Sequence, residues 1–272
     1  MTRSTSVSVA GTALHVDDTA ESDLTPVVCL HSLFFDNRMF DDLVEAGAGR
    51  YRFVRPEYRG QGRSGPADGA VVTIEQCAGD IAAVLDELQI AGAPVIASSM
   101  GGDVAARLAV YRPDLVGSLI FLGSSVRPEP ADKVAEYVAW SDDVGEHGFT
   151  GDRLTMVEQI MFGASTRSDP AKADVLDRWR GRMAALPTSI RPAMIGVMRR
   201  RSAVDALGEI DVPALVISGE ECPVRPPEWA YELADGLPRG ELVMLPRVGH
   251  SPLLEAPDTV IPRILDFLDA QS

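Results

Sequence analysis

The chain has 272 residues, is 46% hydrophobic and carries a formal charge of −15 at pH 7. That length suits one α/β domain with a sizeable core, and that charge disfavours nucleic acid or an anionic membrane surface as partner. The start, Met1-Thr2-Arg3, runs into alternating Ser and Val, and no run approaches the ~18 apolar residues of a membrane span. Cys29, Cys77 and Cys222 and the four histidines are too dispersed for metal-ligand spacing. The expectation is a cytoplasmic protein with reduced thiols and no metal or cofactor, acting on a small-molecule substrate.

In chain order, Ser6–Ala10 and Thr12–Asp17 alternate around Gly11 and predict an antiparallel hairpin. Pro26–Leu30 is a continuous apolar run, as in a strand buried on both faces, and it ends in His31-Ser32-Leu33. A helix is expected around Asp36–Glu45, a strand at Tyr51–Arg55, and then a Gly-rich loop, Glu57 to Ser64. Thr73 and Gln76 form a capping box, and Ile74, Ala78, Ile81, Leu85 and Leu88 supply one apolar helix face. Pro94–Ala97 reads as a buried strand, Met100–Tyr111 as a helix and Leu119–Leu122 as a further strand. Residues 127–207 break the alternation: helical patterns, prolines and no convincing buried strand. It resumes with strand Val212–Ser218, a helix near Glu228–Leu237, strand Glu241–Leu245 and a last helix from about Asp258. Alternating strands and helices predict a mostly parallel sheet covered on both faces, core 1–126 and 208–272. The interruption, 127–207, reads as a helical cap over the strand ends, where open α/β sheets place ligands.

Ser99 falls between a buried strand and a helix, in Ala97-Ser98-Ser99-Met100-Gly101-Gly102. This fits a G-x-S-x-G nucleophile elbow in which Ala97 replaces the first glycine; the plainer alternative is a serine helix cap. His250, in Arg247-Val248-Gly249-His250-Ser251-Pro252, follows the last strand, the place from which a general base reaches such a serine. The backbone amides of Leu33 and Met100 are candidates for an oxyanion hole, with Ser32 as a weaker supplementary donor and His31 as a residue that orders the loop.

Together these motifs resemble the α/β-hydrolase superfamily over nearly the full chain. Leu30-His31-Ser32-Leu33 with Asp36-Asn37-Arg38-Met39-Phe40, and Arg59-Gly60-Gln61-Gly62-Arg63-Ser64, look most like the 3-oxoadipate enol-lactonase group, which shades into esterases, lactonases and cofactor-free haloperoxidases. The resemblance implies attack by Ser99 on a small ester or lactone, with His250 as base.

One position departs from the family. Pro213 to Cys222 matches the segment ending in Gly-x-x-Asp, whose aspartate orients the histidine, and here the aspartate is Cys222. In a serine protease, exchanging that carboxylate for an amide lowers kcat by about 10⁴. Three explanations stand: a carboxylate from elsewhere, with Glu129 and Glu221 as candidates; Cys222 itself as thiolate or weak acceptor; or a pocket turned to a non-hydrolytic reaction or to binding. Arg199-Arg200-Arg201 could face the cleft or form a solvated helix face. Trp140, Met156, Met161, Met194 and Met198 make the interrupting segment rich in adaptable apolar side chains suited to a pocket.

Overall fold

The computed structural model describes residues 2–67 and 69–271. Its strands are β1 (Arg3–Val9), β2 (Thr12–Asp18), β3 (Pro26–Leu30), β4 (Arg52–Pro56), β5 (Ala93–Ser98), β6 (Val116–Leu122), β7 (Ala214–Gly219) and β8 (Gly240–Leu245). They form one sheet in the order β1-β2-β4-β3-β5-β6-β7-β8. β1 and β2 form the expected hairpin and β2 pairs antiparallel with β4; every other pairing is parallel. The central strands β3, β5, β6 and β7 are almost wholly buried, which is why they read as unbroken Val/Ile/Leu runs rather than as alternation.

Helices α1 (Asp41–Ala46), α2 (Ile74–Glu87) and α3 (Met100–Tyr111) cross between the early strands. The Thr73 hydroxyl accepts the Gln76 N–H at 3.1 Å, so α2 starts where its cap predicts. It buries Ile74, Ala78, Ile81 and Leu85 and packs on α3. The helix expected at Asp36–Glu45 is two pieces, a tight 3-10 turn at Asn37–Phe40 and then α1. The Asp36 carboxylate caps the turn by accepting the Arg38 N–H at 3.0 Å. The buried Asn37 amide donates to Asp17 and to the Arg55 carbonyl, both at 3.0 Å, which ties the turn to the sheet.

The Gly-rich loop is a structural clamp. The buried Arg59 guanidinium donates to both Asp80 oxygens at 2.6 and 2.5 Å, while the Ser64 hydroxyl donates to the Glu57 carbonyl at 2.6 Å and accepts the His15 N–H at 2.9 Å.

Between β6 and β7 the chain folds as α4 (Val134–His147), α5 (Gly151–Met161), α6 (Ala164–Ser168), α7 (Ala173–Ala184) and α8 (Arg191–Met198). After β7 come α9 (Pro227–Gly236), packed on β7 and β8, then α10 (Pro252–Glu255) and α11 (Pro257–Ala270). The last helix thus starts within a residue of its expected position. A short extra turn precedes it because Ala256 leaves helical geometry at φ −137° and ψ 53°.

Candidate active site

Ser99 links β5 to α3 with φ 50° and ψ −111°, a left-handed conformation a non-glycine residue adopts only where its surroundings enforce it. Its N–H donates to the Leu122 carbonyl at 3.0 Å and its carbonyl accepts the Gly102 N–H at 2.9 Å. Close approach of α3 to the sheet explains the following glycine, since a methyl group at Gly101 would overlap the Leu30 carbonyl oxygen. Ala97 lies within β5, paired with Leu30 and Phe121 and fully buried, so the smallest side chain after glycine fits there.

His250 comes from the loop between β8 and α10. Its Nε2 stands 2.7 Å from Ser99 Oγ, and both residues are buried. Glu255 holds this loop: its carboxylate accepts the Gly249 and Ser251 N–H groups at 2.9 Å each, the Gly163 N–H at 2.9 Å and the Thr166 hydroxyl at 2.6 Å. A carboxylate filled by four donors pins the histidine loop to the α5–α6 junction. Sequence reasoning missed Glu255; the available signal was Ser251 with a glutamate four residues on, one residue beyond capping-box spacing. Under the same loop, Gly123 at φ +55° leaves no room for a methyl group beside the His250 carbonyl oxygen.

On the far side of the ring, His250 Nδ1 meets Cys222 Sγ at 3.2 Å. The sulfur also accepts the Arg225 N–H at 3.3 Å. Burial pushes the Cys222 thiol up to about 11, so it is neutral at pH 7. Burial, and then the charges of Arg225 and Arg200, push His250 down to about 3. The two candidate carboxylates lie elsewhere. Glu221 accepts the Ser165 N–H at 2.7 Å and hydroxyl at 2.6 Å. Glu129 accepts Arg200 at 2.6 Å and Arg225 at 3.0 Å. Among the described residues no carboxylate hydrogen-bonds to His250, which overturns the idea that one replaces the aspartate.

The exchange has a defined consequence. A carboxylate only accepts, so it fixes the proton on Nδ1 and leaves Nε2 free to take the serine proton. A thiol can do either. It can accept from Nδ1–H, which is the productive arrangement, or donate S–H to Nδ1, which turns Nε2–H toward Ser99 and blocks proton uptake.

Arg200 answers to neither of its expected readings, solvated face or cleft. It is buried, with Nη1 on Glu129 at 2.6 Å, Nε on the Arg127 carbonyl at 2.7 Å and Nε 3.3 Å from Asp103; Arg199 and Arg201 are exposed. Glu129 in turn joins it to Arg225, so paired charge stands beside the cavity wall. Pairing is what permits such burial, and one charge removed from it would leave its partner stranded.

Ser99 and His250 open on a cavity of about 310 Å³ whose wall is largely apolar, including Phe34, Trp140, Ile160, Met161 and Trp229. Leu33 and Ser32 also line it. Met100 is the first residue of α3, and among the described residues neither its N–H nor that of Leu33 donates to a backbone acceptor. His31 orders the loop as expected, with Nδ1 2.8 Å from the Ser32 carbonyl oxygen.

Residues 27–263 match the model of the alpha/beta hydrolase family. The chain belongs to that family. The chain is similar in structure to a thermophilic esterase from Thermogutta terrifontis, at TM-score 0.89 and 25% identity over 100% of this chain and 99% of that one. It is also similar to the enol-lactonase from Burkholderia xenovorans LB400, at TM-score 0.88 and 25% identity over 97% and 100%. In sequence it is 28% identical to a protein provisionally named as the non-heme bromoperoxidase BpoC, from Mycobacterium tuberculosis strain H37Rv, over 81% of this chain and 84% of that one. The likeness read from the motifs, to the esterase and enol-lactonase group, therefore holds for the whole fold. Among the described residues, no helix is long and apolar enough to cross a membrane.

Proposed function

We propose that this α/β hydrolase cleaves the carboxylic ester or lactone bond of a small, largely apolar molecule through an acyl-enzyme on Ser99. The observation that carries the reading is the 2.7 Å approach of Ser99 Oγ to His250 Nε2, on a strained turn that opens into an apolar cavity. His250 takes the serine proton as Oγ bonds to the carbonyl carbon. The oxygen that becomes negative accepts the Leu33 and Met100 N–H groups, donors worth about 3–4 kcal/mol each in comparable sites. The intermediate then expels the alcohol, or opens the lactone ring, and His250 returns the proton to the leaving oxygen. A water molecule deprotonated by His250 attacks the acyl carbon, and Ser99 recovers its proton as the acid departs. The scheme balances without a metal or cofactor.

Cys222 is the positioning residue in this reading: it holds Nδ1 but supplies no charge to the imidazolium. Residues 127–207 act as the cap, with α4, α5 and α8 closing the cavity over the strand ends. Unpartnered buried donors in the cavity wall, on Ser32, Trp140 and Arg225, suit a substrate with exposed oxygen acceptors.

The neutral thiol also favours a second reading, in which the same pocket serves a lyase, isomerase or cyclase reaction, or a receptor, with no imidazolium to stabilise. A fluorophosphonate probe and nitrophenyl esters separate the two. Labelling confined to Ser99, with sustained ester turnover, is the expected result. Labelling without turnover selects the second reading, and an unlabelled Ser99 with no turnover sinks the hydrolase.

A further inference from the structure

A second cavity, about 550 Å³, shares no residue with the one on Ser99. It lies between the Gly-rich loop and α7, and four guanidinium groups line it: Arg38, Arg63, Arg178 and Arg182. Its two carboxylates are already engaged. Asp36 is held by Arg38, and Glu57 accepts the Arg63 N–H at 2.5 Å and its guanidinium at 3.0 Å. Arg178 and Arg182 make no ion pair among the described residues. The lining therefore carries two more positive than negative groups, in a chain whose formal charge is −15.

Arg182 is also held in place. Its guanidinium lies 4.6 Å from the centre of the Trp179 ring, and that ring packs on Phe35 at 4.5 Å. The proximity of Arg38 is one cause that, after burial, pushes the Arg182 guanidinium down. Arg63 is further paired with Asp17 at 2.6 Å, so the charge left over in this concave wall is that of Arg178 and Arg182, whose guanidinium forks match a carboxylate or phosphate edge.

We propose that this cleft binds a small, multiply charged oxyanion, with carboxylate or phosphate groups on Arg178 and Arg182. The site is separate from Ser99 and stands whether or not the chain is an esterase.

Isothermal titration of the full chain with citrate and with inorganic phosphate, at an ionic strength fixed by sodium chloride, tests it. Saturable binding of at least one probe is expected, and the two arms tell carboxylate from phosphate. Arg182→Ala should weaken that binding about tenfold, the loss of one charged hydrogen-bonding group. Arg182→Lys should recover part of it, keeping the charge without the fork. Melting temperature and the far-ultraviolet circular dichroism spectrum serve as folding controls. Absence of saturable binding by both probes overturns the proposal, as does unchanged affinity in a folded Arg178→Ala/Arg182→Ala variant.

Discussion

The ends of β5 and β7 meet at the same imidazole, yet they are built to different standards. At the β5 end everything converges on one geometry: a left-handed Ser99, a glycine that lets α3 approach Leu30, and a serine oxygen 2.7 Å from Nε2. At the β7 end the backbone is equally well held, with the Glu221 N–H on the Val248 carbonyl at 2.9 Å and that of Cys222 on the Gly219 carbonyl at 3.3 Å. Only the side chain differs from the family pattern, and it changes the charge rather than the place. A turn can thus keep delivering an atom to Nδ1 after the property that made the atom useful has gone. In the proposed mechanism the two ends are separable: one sets where reaction occurs, the other how strongly the base is supported.

The largest effect belongs to the β5 end. Ser99→Ala should lower ester kcat by about 10³ to 10⁶, the range left when a nucleophile is removed and only binding and the oxyanion hole remain. Turnover within tenfold of the parent would mean that this end is not where the reaction happens. At the β7 end, Cys222→Asp should act in the opposite direction and raise kcat by about 10², a fraction of what a carboxylate is worth in a complete triad. The Arg225 N–H that now reaches sulfur is available to the new carboxylate. An unchanged kcat would show that the thiol already orients the ring as well as an acid does.

That contrast also marks what could be read from residues alone. The elbow, the histidine loop and the alternation of strands with helices are local patterns: apolar runs, small residues at fixed offsets, a histidine after a final strand. Cys222 was legible as a missing acid because its segment is contiguous. Whether a carboxylate from elsewhere replaced it was not, since Glu129 and Glu221 are chemically equal candidates until the chain folds. Their partners lie up to 96 residues away, at Arg225 for Glu129, and no spacing rule connects them. Arg200 failed for the same reason: a run of three arginines looks solvated unless Glu129 and Asp103 are known to face its middle member.

A medium effect concerns pH. In the proposed mechanism neutral His250 is the working base, and it is held down to about 3, below its usual value near 6.5. Its neutral form therefore persists as pH falls. An imidazole of ordinary affinity would lose about thirtyfold in kcat/KM between pH 8 and pH 5, whereas the parent chain should lose less than twofold. In Cys222→Asp the new negative charge favours the imidazolium, so an acid limb should move back into that interval. Stability runs the other way. The unfolded chain binds this proton near 6.5 and the folded chain only near 3, so His250 subtracts stability progressively as pH falls between those values, by up to about 1.4 kcal/mol per pH unit. Denaturant midpoints at pH 7, 5 and 4 read that slope, and a kcat/KM profile with a midpoint near 6.5 in the parent would refute the burial argument.

The smallest expected change is the most discriminating at the β7 end. Cys222→Ser keeps a neutral group that can both donate and accept, 3.2 Å from Nδ1 in the parent, and leaves the ring with the same two arrangements. If the thiol acts as that neutral group, kcat should stay within about threefold, with an unaltered acid side of the pH profile. If instead a thiolate supports the imidazolium, the hydroxyl, whose ionisation lies far outside the working range, cannot substitute. The variant would then fall by more than about tenfold while Cys222→Asp recovers. The parent would also gain activity as pH approaches 11, where the thiol ionises, and the serine variant would not. Burial argues for the neutral group, because the cost of holding a thiolate away from water is what raises the Cys222 value in the first place.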